Sequence, residues 1–170
     1  TYGMHDVSGV AFNSFVNVVA EDRDKVIWIG TERGLFRLDK KTGMISTTGC
    51  EQVGDCNISV IICDTGNGIW VGSDKGLFRK NASEHDFRPV TMRNADGKPV
   101  TDITSVVKDA NCSLWIASYG SGLLRYDLRE ERTYTYDDEI LRHAHVVFCD
   151  AGGNVWVGTW GAGLIRLINP

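Results

Sequence analysis

Clustered lysine and arginine are missing from this chain of 170 residues, whose formal net charge is −4 and whose isoelectric point lies near 5.5. Proteins that grip a phosphate backbone need such clusters to displace counterions, so nucleic acid is not an expected partner. No apolar stretch reaches the roughly 18 to 20 uncharged residues that span a bilayer, and the N-terminus lacks the basic-then-apolar layout of a signal peptide. Work outside the cytoplasm would need a targeting segment beyond these residues. None of the five cysteines sits in C-x-x-C spacing, which removes the usual zinc frameworks. Cys50 and Cys56 flank a short loop containing Gly54, and either a local disulfide or two unpaired loop thiols fits that spacing. Cys63 and Cys149 lie beside apolar residues and read as small core residues. The patterns G-x-S-x-G, G-x-x-x-x-G-K-[ST] and H-E-x-x-H and a kinase catalytic loop are all absent, so neither a catalytic residue nor a cofactor is expected.

Against these absences stands a fourfold repetition. The segment VIWIGTERGLFRLD at 26–39 returns as IWVGSDKGLFRKN at 69–81, LWIASYGSGLLRYD at 114–127 and VWVGTWGAGLIRLI at 155–168. Trp28, Trp70, Trp115 and Trp156 are 42, 45 and 41 residues apart, a period that suits one four-stranded unit. Each unit opens with a β-branched run (15–20, 58–63, 103–107, 146–149), read as a strand buried on both faces. An Asp follows at 22, 64, 109 or 150, six residues before each Trp, and a Gly- or Asn-bearing turn leads into the Trp strand. A second turn ends at Gly34, Gly76, Gly122 or Gly163, ahead of a third strand carrying Arg37, Arg79, Arg125 or Arg166. A more polar fourth strand follows three times, at 44–48, 87–92 and 132–136.

The expected fold class is all-β: a β-propeller of about four blades, each of four antiparallel strands. The blades are expected at 13–49, 57–92, 102–137 and 144–170, in one segment over 1–170, with residues 1–4 as the outer strand of a neighbouring or closing blade. Four blades in an open arc would expose the apolar faces of the end sheets. A closed four-bladed ring, pairing of two chains as a homodimer, or membership of a larger propeller would each hide them.

Residues repeated in every unit are what stacking neighbours require, so the four Trp and four Arg are read as scaffold. The Trp are assigned to the core between blades, and the Arg to carboxylates or backbone carbonyls that tie strands together. Function is sought where the copies differ, in loops at one end of the propeller. Tyr119 and Trp160 are aromatic where the first two repeats carry charge, and aromatics beside polar groups suit stacking on a sugar face. Arg33, Lys75, Arg142, His143 and His145 complete the set of candidate ligand contacts. His143-x-His145 has the spacing of two metal ligands, with Asp137, Asp138 or Glu139 as a third, but the expected metal content is none.

The pattern Trp-h-Gly-Thr-x-x-Gly-Leu-h-Arg, preceded by Asp and a Gly/Asn turn, resembles the two-component regulator propeller repeat. Ala117 and Cys112 stand where that repeat usually has Gly. The resemblance implies a non-catalytic, periplasmic sensor region of an inner-membrane hybrid histidine kinase. Its implied partners are an oligosaccharide or other small glycan and the rest of the sensor kinase chain. A similar Asp, Gly and Trp rhythm occurs in propeller lyases that act on streptogramin antibiotics, where His145 would be the candidate base; a purely protein-binding propeller shares every repeat feature.

Overall fold

The computed structural model describes residues 14–168 apart from 48, 65 and 67, so the strand expected at 1–4 lies outside the described residues. Four antiparallel sheets follow one another along the chain. The first holds β1 (Val16–Glu21), β2 (Val26–Thr31), β3 (Gly34–Asp39) and β4 (Ile45–Ser46). The second holds β5 (Ile58–Cys63), β6 (Ile69–Ser73), β7 (Gly76–Lys80) and β8 (Arg88–Val90). The third holds β9 (Ile103–Lys108), β10 (Ser113–Ser118), β11 (Gly122–Asp127) and β12 (Arg132–Tyr136). The fourth has three strands, β13 (Ala144–Cys149), β14 (Val155–Thr159) and β15 (Gly163–Leu167). Strand order within each sheet is sequential, the meander of a propeller blade.

The Asp ahead of each Trp builds the first hairpin. One carboxylate oxygen accepts the amides two and four residues on: Asp22 from Asp24 and Val26, Asp109 from Asn111 and Ser113, Asp150 from Gly152 and Asn154, all at 2.8–3.0 Å. Asp64 does the same with Gly66 and Gly68. The other oxygen takes the indole N–H six residues on, from Trp28 at 2.7 Å, Trp115 at 3.0 Å and Trp156 at 2.9 Å. These bonds hold the Asp150 carboxyl down at about 2. Trp70 breaks the series: its Nε1 has no partner among the described residues, and Asp64 Oδ2 lies 3.7 Å from Lys108 Nζ. Replacing Asp22 by Ala strands the buried Trp28 N–H and two turn amides, and is expected to cost about 1–3 kcal/mol in urea unfolding.

The repeated arginines do not go where the sequence expectation put them. Each is the direct cross-strand partner of its Trp, and its guanidinium carbon sits 6.0, 4.8, 5.9 and 5.6 Å from the Trp28, Trp70, Trp115 and Trp156 ring centres. They lie over indole faces as cation–π partners; Arg166 also donates to Asn154 Oδ1 at 2.7 Å.

Blades meet through a knob and a seat. Gly30 faces Ile58 of the next blade, and a Cβ there would stand 2.6 Å from Ile58 Cγ2; Gly72 faces Ile103, whose Cγ2 would be 2.7 Å away. At the third junction the seat is Ala117 and the knob is Ala144, both in one buried cluster. The residue opposite the seat changes too, from Val18 and Val60 to Ser105. Ala117 therefore does not weaken that blade, because its added methyl is matched by smaller neighbours.

Three core clusters result, one between each consecutive pair of blades, and Trp28, Trp70 and Trp115 lie in them as inter-blade core. Among the described residues no core cluster joins the first sheet to the fourth. Phe15, Val16 and Val19 are exposed at one end, and Val146, Phe148 and Leu164 at the other. Among the described residues the four sheets do not close into a ring, and burial on both faces fails for β1 and β13 because each has a described neighbouring sheet on one side only. Of the two alternatives the loop spacing allows, the structure has Cys56 as an unbridged thiol, and both Cys50 and Cys56 turn into the first inter-blade cluster beside Val53. Burial pushes the Cys50 thiol up to about 12, and Cys63 and Cys149 to about 11.

Candidate functional site

Three positions in each blade converge at one end of the arc. The first is the residue ahead of the inner strand: Phe15, Asn57, Asp102 and His143. The second is the residue that opens the turn between the second and third strands: Glu32, Asp74, Tyr119 and Trp160. The amide of each turn residue donates to the carbonyl of its lead-in residue, at 3.2, 3.1, 2.8 and 2.9 Å, so the scaffold fixes the bases of these loops whatever their side chains. The third position is an inner-strand bulge, where the register slips past Asn17, Ser59, Thr104 and His145.

The bulge residues latch one blade to the next. Asn17 Nδ2 donates to the Ile58 carbonyl at 3.0 Å, Ser59 Oγ to the Ile103 carbonyl, and Thr104 Oγ1 to the His145 carbonyl at 2.7 Å. His145 occupies the same position in the fourth blade, the last among the described residues. Its ring instead lies edge-on to Trp160, 5.1 Å between centres.

Together these positions form a cleft of about 310 Å³ lined by Asn57, Ser59 and Asp74 of the second blade, Asp102, Ile103, Thr104 and Tyr119 of the third, and His145 and Trp160 of the fourth. Its walls grade from polar to aromatic along the chain. Tyr119 is 75% exposed and Trp160 66%, so neither serves the core. Each cleft carboxylate spends one oxygen on the scaffold: Asp74 Oδ1 accepts the Asn57 amide at 2.9 Å, and Asp102 Oδ2 the Thr101 hydroxyl at 2.7 Å. A second hollow of about 340 Å³ continues past Tyr119 and Trp160 to Arg142 and His143. There the Arg142 guanidinium is tied to Asp137 Oδ1 through Nη2 at 2.6 Å and Nε at 3.0 Å, which holds its pKa above the ordinary value.

Five of the seven sequence candidates thus lie around the cleft and hollow: Tyr119, Trp160, Arg142, His143 and His145. Arg33 and Lys75 do not line either; they stand one residue beyond the wall-forming turn position, and Lys75 reaches out to Asp55 at 3.5 Å. Among the described residues no group of three His, Cys, Asp or Glu stands close enough to hold a metal ion. Ser59 and Thr104 were missed, although a polar residue in the second place of an apolar run recurs at 17, 59, 104 and 145 and marks the bulge.

The fold is that of a β-propeller, and it is shared with several solved structures. The extracellular domain of a hybrid two-component system from B. thetaiotaomicron is 22% identical, with a TM-score of 0.72 over 91% of this chain and 20% of that one. Virginiamycin B lyase from Staphylococcus aureus, in a catalytically inactive form with quinupristin, is 19% identical with a TM-score of 0.70 over 91% of this chain and 52% of that one. PorZ, a surface component of the type-IX secretion system of Porphyromonas gingivalis, is 18% identical with a TM-score of 0.67, over 89% and 25%. The chain thus spans about a fifth of the length of the two-component structure. Residues 11–33 match the two component regulator propeller family, which bears out the resemblance read from the repeat. No curated protein matches the chain. No helix among the described residues is long and apolar enough to cross a membrane.

Proposed function

We propose that this chain is a non-catalytic ligand-binding module of an extracytoplasmic sensor propeller in a hybrid two-component protein, and that its ligand is a small oligosaccharide. The observation that carries the reading is the pair of exposed aromatics, Tyr119 and Trp160, flanking a cleft whose other wall is hydroxyl, amide and carboxylate. Sugars present apolar C–H faces between hydroxyls, so an aromatic plane opposite hydrogen-bonding groups fits both parts of the ligand. The second carboxylate oxygens of Asp74 and Asp102 would accept ligand hydroxyls. The family match and the two-component neighbour support the sensor context, and by the same reading the signal passes to the remainder of a kinase chain.

The lyase alternative has one favourable observation, His145 in the cleft beside Trp160. In the bulge series, however, that position serves inter-blade latching in the other three blades.

A thermal-shift screen against plant and host glycan oligosaccharides tests the proposal, because a ligand that binds the native state raises the melting temperature by mass action. Against a saccharide that shifts the parent, Trp160→Ala or Tyr119→Ala is expected to weaken binding by about 2 kcal/mol, roughly thirtyfold in Kd. If both variants bind as the parent does, the site assignment is wrong.

A further inference from the structure

The second blade sets two arginines face to face. The repeated Arg pairs across the outer hairpin with Ser46 in the first blade and with Tyr134 in the third, but Arg79 of the second pairs with Arg88. Like charges directly opposite each other destabilise a sheet. Glu84 offsets only one of them: its Oε1 lies 3.2 Å from Arg88 Nε and its Oε2 accepts the Asn81 amide at 2.9 Å, so both oxygens are committed. Arg79 makes no ion pair among the described residues. Its guanidinium lies on the Trp70 ring, and its Nε is buried without a described partner, as is Trp70 Nε1. Both arginines line a hollow of about 370 Å³ at the seam between the second and third blades, with Trp70, Pro89 and Tyr126 as apolar walls and Glu131 contributed by the third blade. At the first seam Phe87 of the second blade meets Trp28 edge-on at 5.7 Å; in the third blade that place in the strand register belongs to the smaller Thr133. The hollow shares no residue with the cleft or with the hollow beside Arg142.

We infer that this hollow is a second binding site, for a small organic acid with an apolar body. The carboxylate of the ligand sits between Arg79 and Arg88, where it offsets their repulsion and meets the planar donor forks of two guanidiniums. The apolar part lies against Trp70, Pro89 and Tyr126. Glu131 suits a ligand that also carries an ammonium group, as α-amino acids do. Because the walls come from two blades, a bound acid adds a contact across the seam. The inference is independent of the saccharide reading, since the two sites have no residue in common.

L-Leucine, 4-methylpentanoate and L-leucinamide separate the contributions, because the second lacks the ammonium group and the third the carboxylate. At millimolar concentration one or both of the two acids is expected to move the Trp70 indole signal in a 1H–15N correlation spectrum and to leave that of Trp160 in place, whereas leucinamide moves neither. Arg88→Gln alters an exposed side chain, and is expected to keep the melting temperature of the free protein while weakening acid binding by at least about tenfold. Arg79→Lys keeps the charge and loses the planar fork, and is expected to weaken binding as well. The inference is overturned if neither acid moves the Trp70 signal, if leucinamide moves it as far as leucine does, or if the response survives Arg88→Gln unchanged.

Discussion

Trp115→Ala is expected to lower the unfolding free energy by about 3–5 kcal/mol, and Trp156→Ala by less than half as much, although the two residues have the same local partners. Each indole donates to an Asp six residues back and lies against the Arg opposite it in the next strand. Trp115 additionally packs in a cluster with Leu141, Ala144, Val147 and Val155 of the following segment, and its ring centre is 5.3 Å from that of Tyr136. Trp156 lines a groove that no blade among the described residues fills. The difference between the substitutions therefore isolates what a neighbouring blade contributes. Urea unfolding of the two variants beside the parent chain measures it. Equal losses would mean that the cross-strand Asp and Arg partners, and not blade stacking, hold the tryptophans.

Gly72→Ala is expected to destabilise by about 1–3 kcal/mol, because its methyl would stand 2.5 Å from Val60 Cγ1 and 2.7 Å from Ile103 Cγ2 in a packed interface. Ile103→Ala, at a residue only 2% exposed, is expected to cost about 2–5 kcal/mol through the cavity it leaves. The double variant should be more stable than the sum of these losses by at least about 1 kcal/mol, since the new seat methyl fills part of the space the knob vacates. Adding Val60→Ser completes the set present at the third junction, Ala117 with Ser105 and Ala144, and should recover more. Strict additivity in a urea series would show that the knob and seat do not act as one contact.

The repeat made the architecture legible because blade packing imposes the same demand four times. Trp, Arg, the preceding Asp and the small seat residue recur at fixed spacing, and spacing survives in a sequence. Even the indole bond was within reach, since an Asp six residues before every Trp is more regular than turn chemistry alone requires. What the spacing does not carry is the direction of each side chain in three dimensions. Arg37 and its equivalents could have met a carboxylate, but the strand register places each of them across from an indole. Cys50 and Cys56 have a spacing that suits a loop disulfide, but the turn between them is a short 3-10 segment that buries both sulfurs in the core.

The site was readable in part for the same reason. Tyr119 and Trp160 stood out by breaking the pattern, and they do face one cleft. Arg33 and Lys75 also break it, yet they sit one residue further along a two-residue turn, where the side chain leaves the cleft wall. Ser59 and Thr104 escaped notice because their role depends on a bulge that aims them at the next blade, and a bulge leaves only one polar residue in an apolar run as its trace.

The central claim is that the repeated residues are scaffold and that recognition belongs to the turns where the copies disagree. The five tryptophans, at 28, 70, 115, 156 and 160, offer one spectrum that tests it, because each indole N–H gives its own signal in a two-dimensional 1H–15N correlation. Titration with the saccharide that most raises the melting temperature should move the Trp160 signal and leave those of Trp28, Trp70 and Trp115 in place. Shifts of the three core indoles with Trp160 unmoved would contradict the claim.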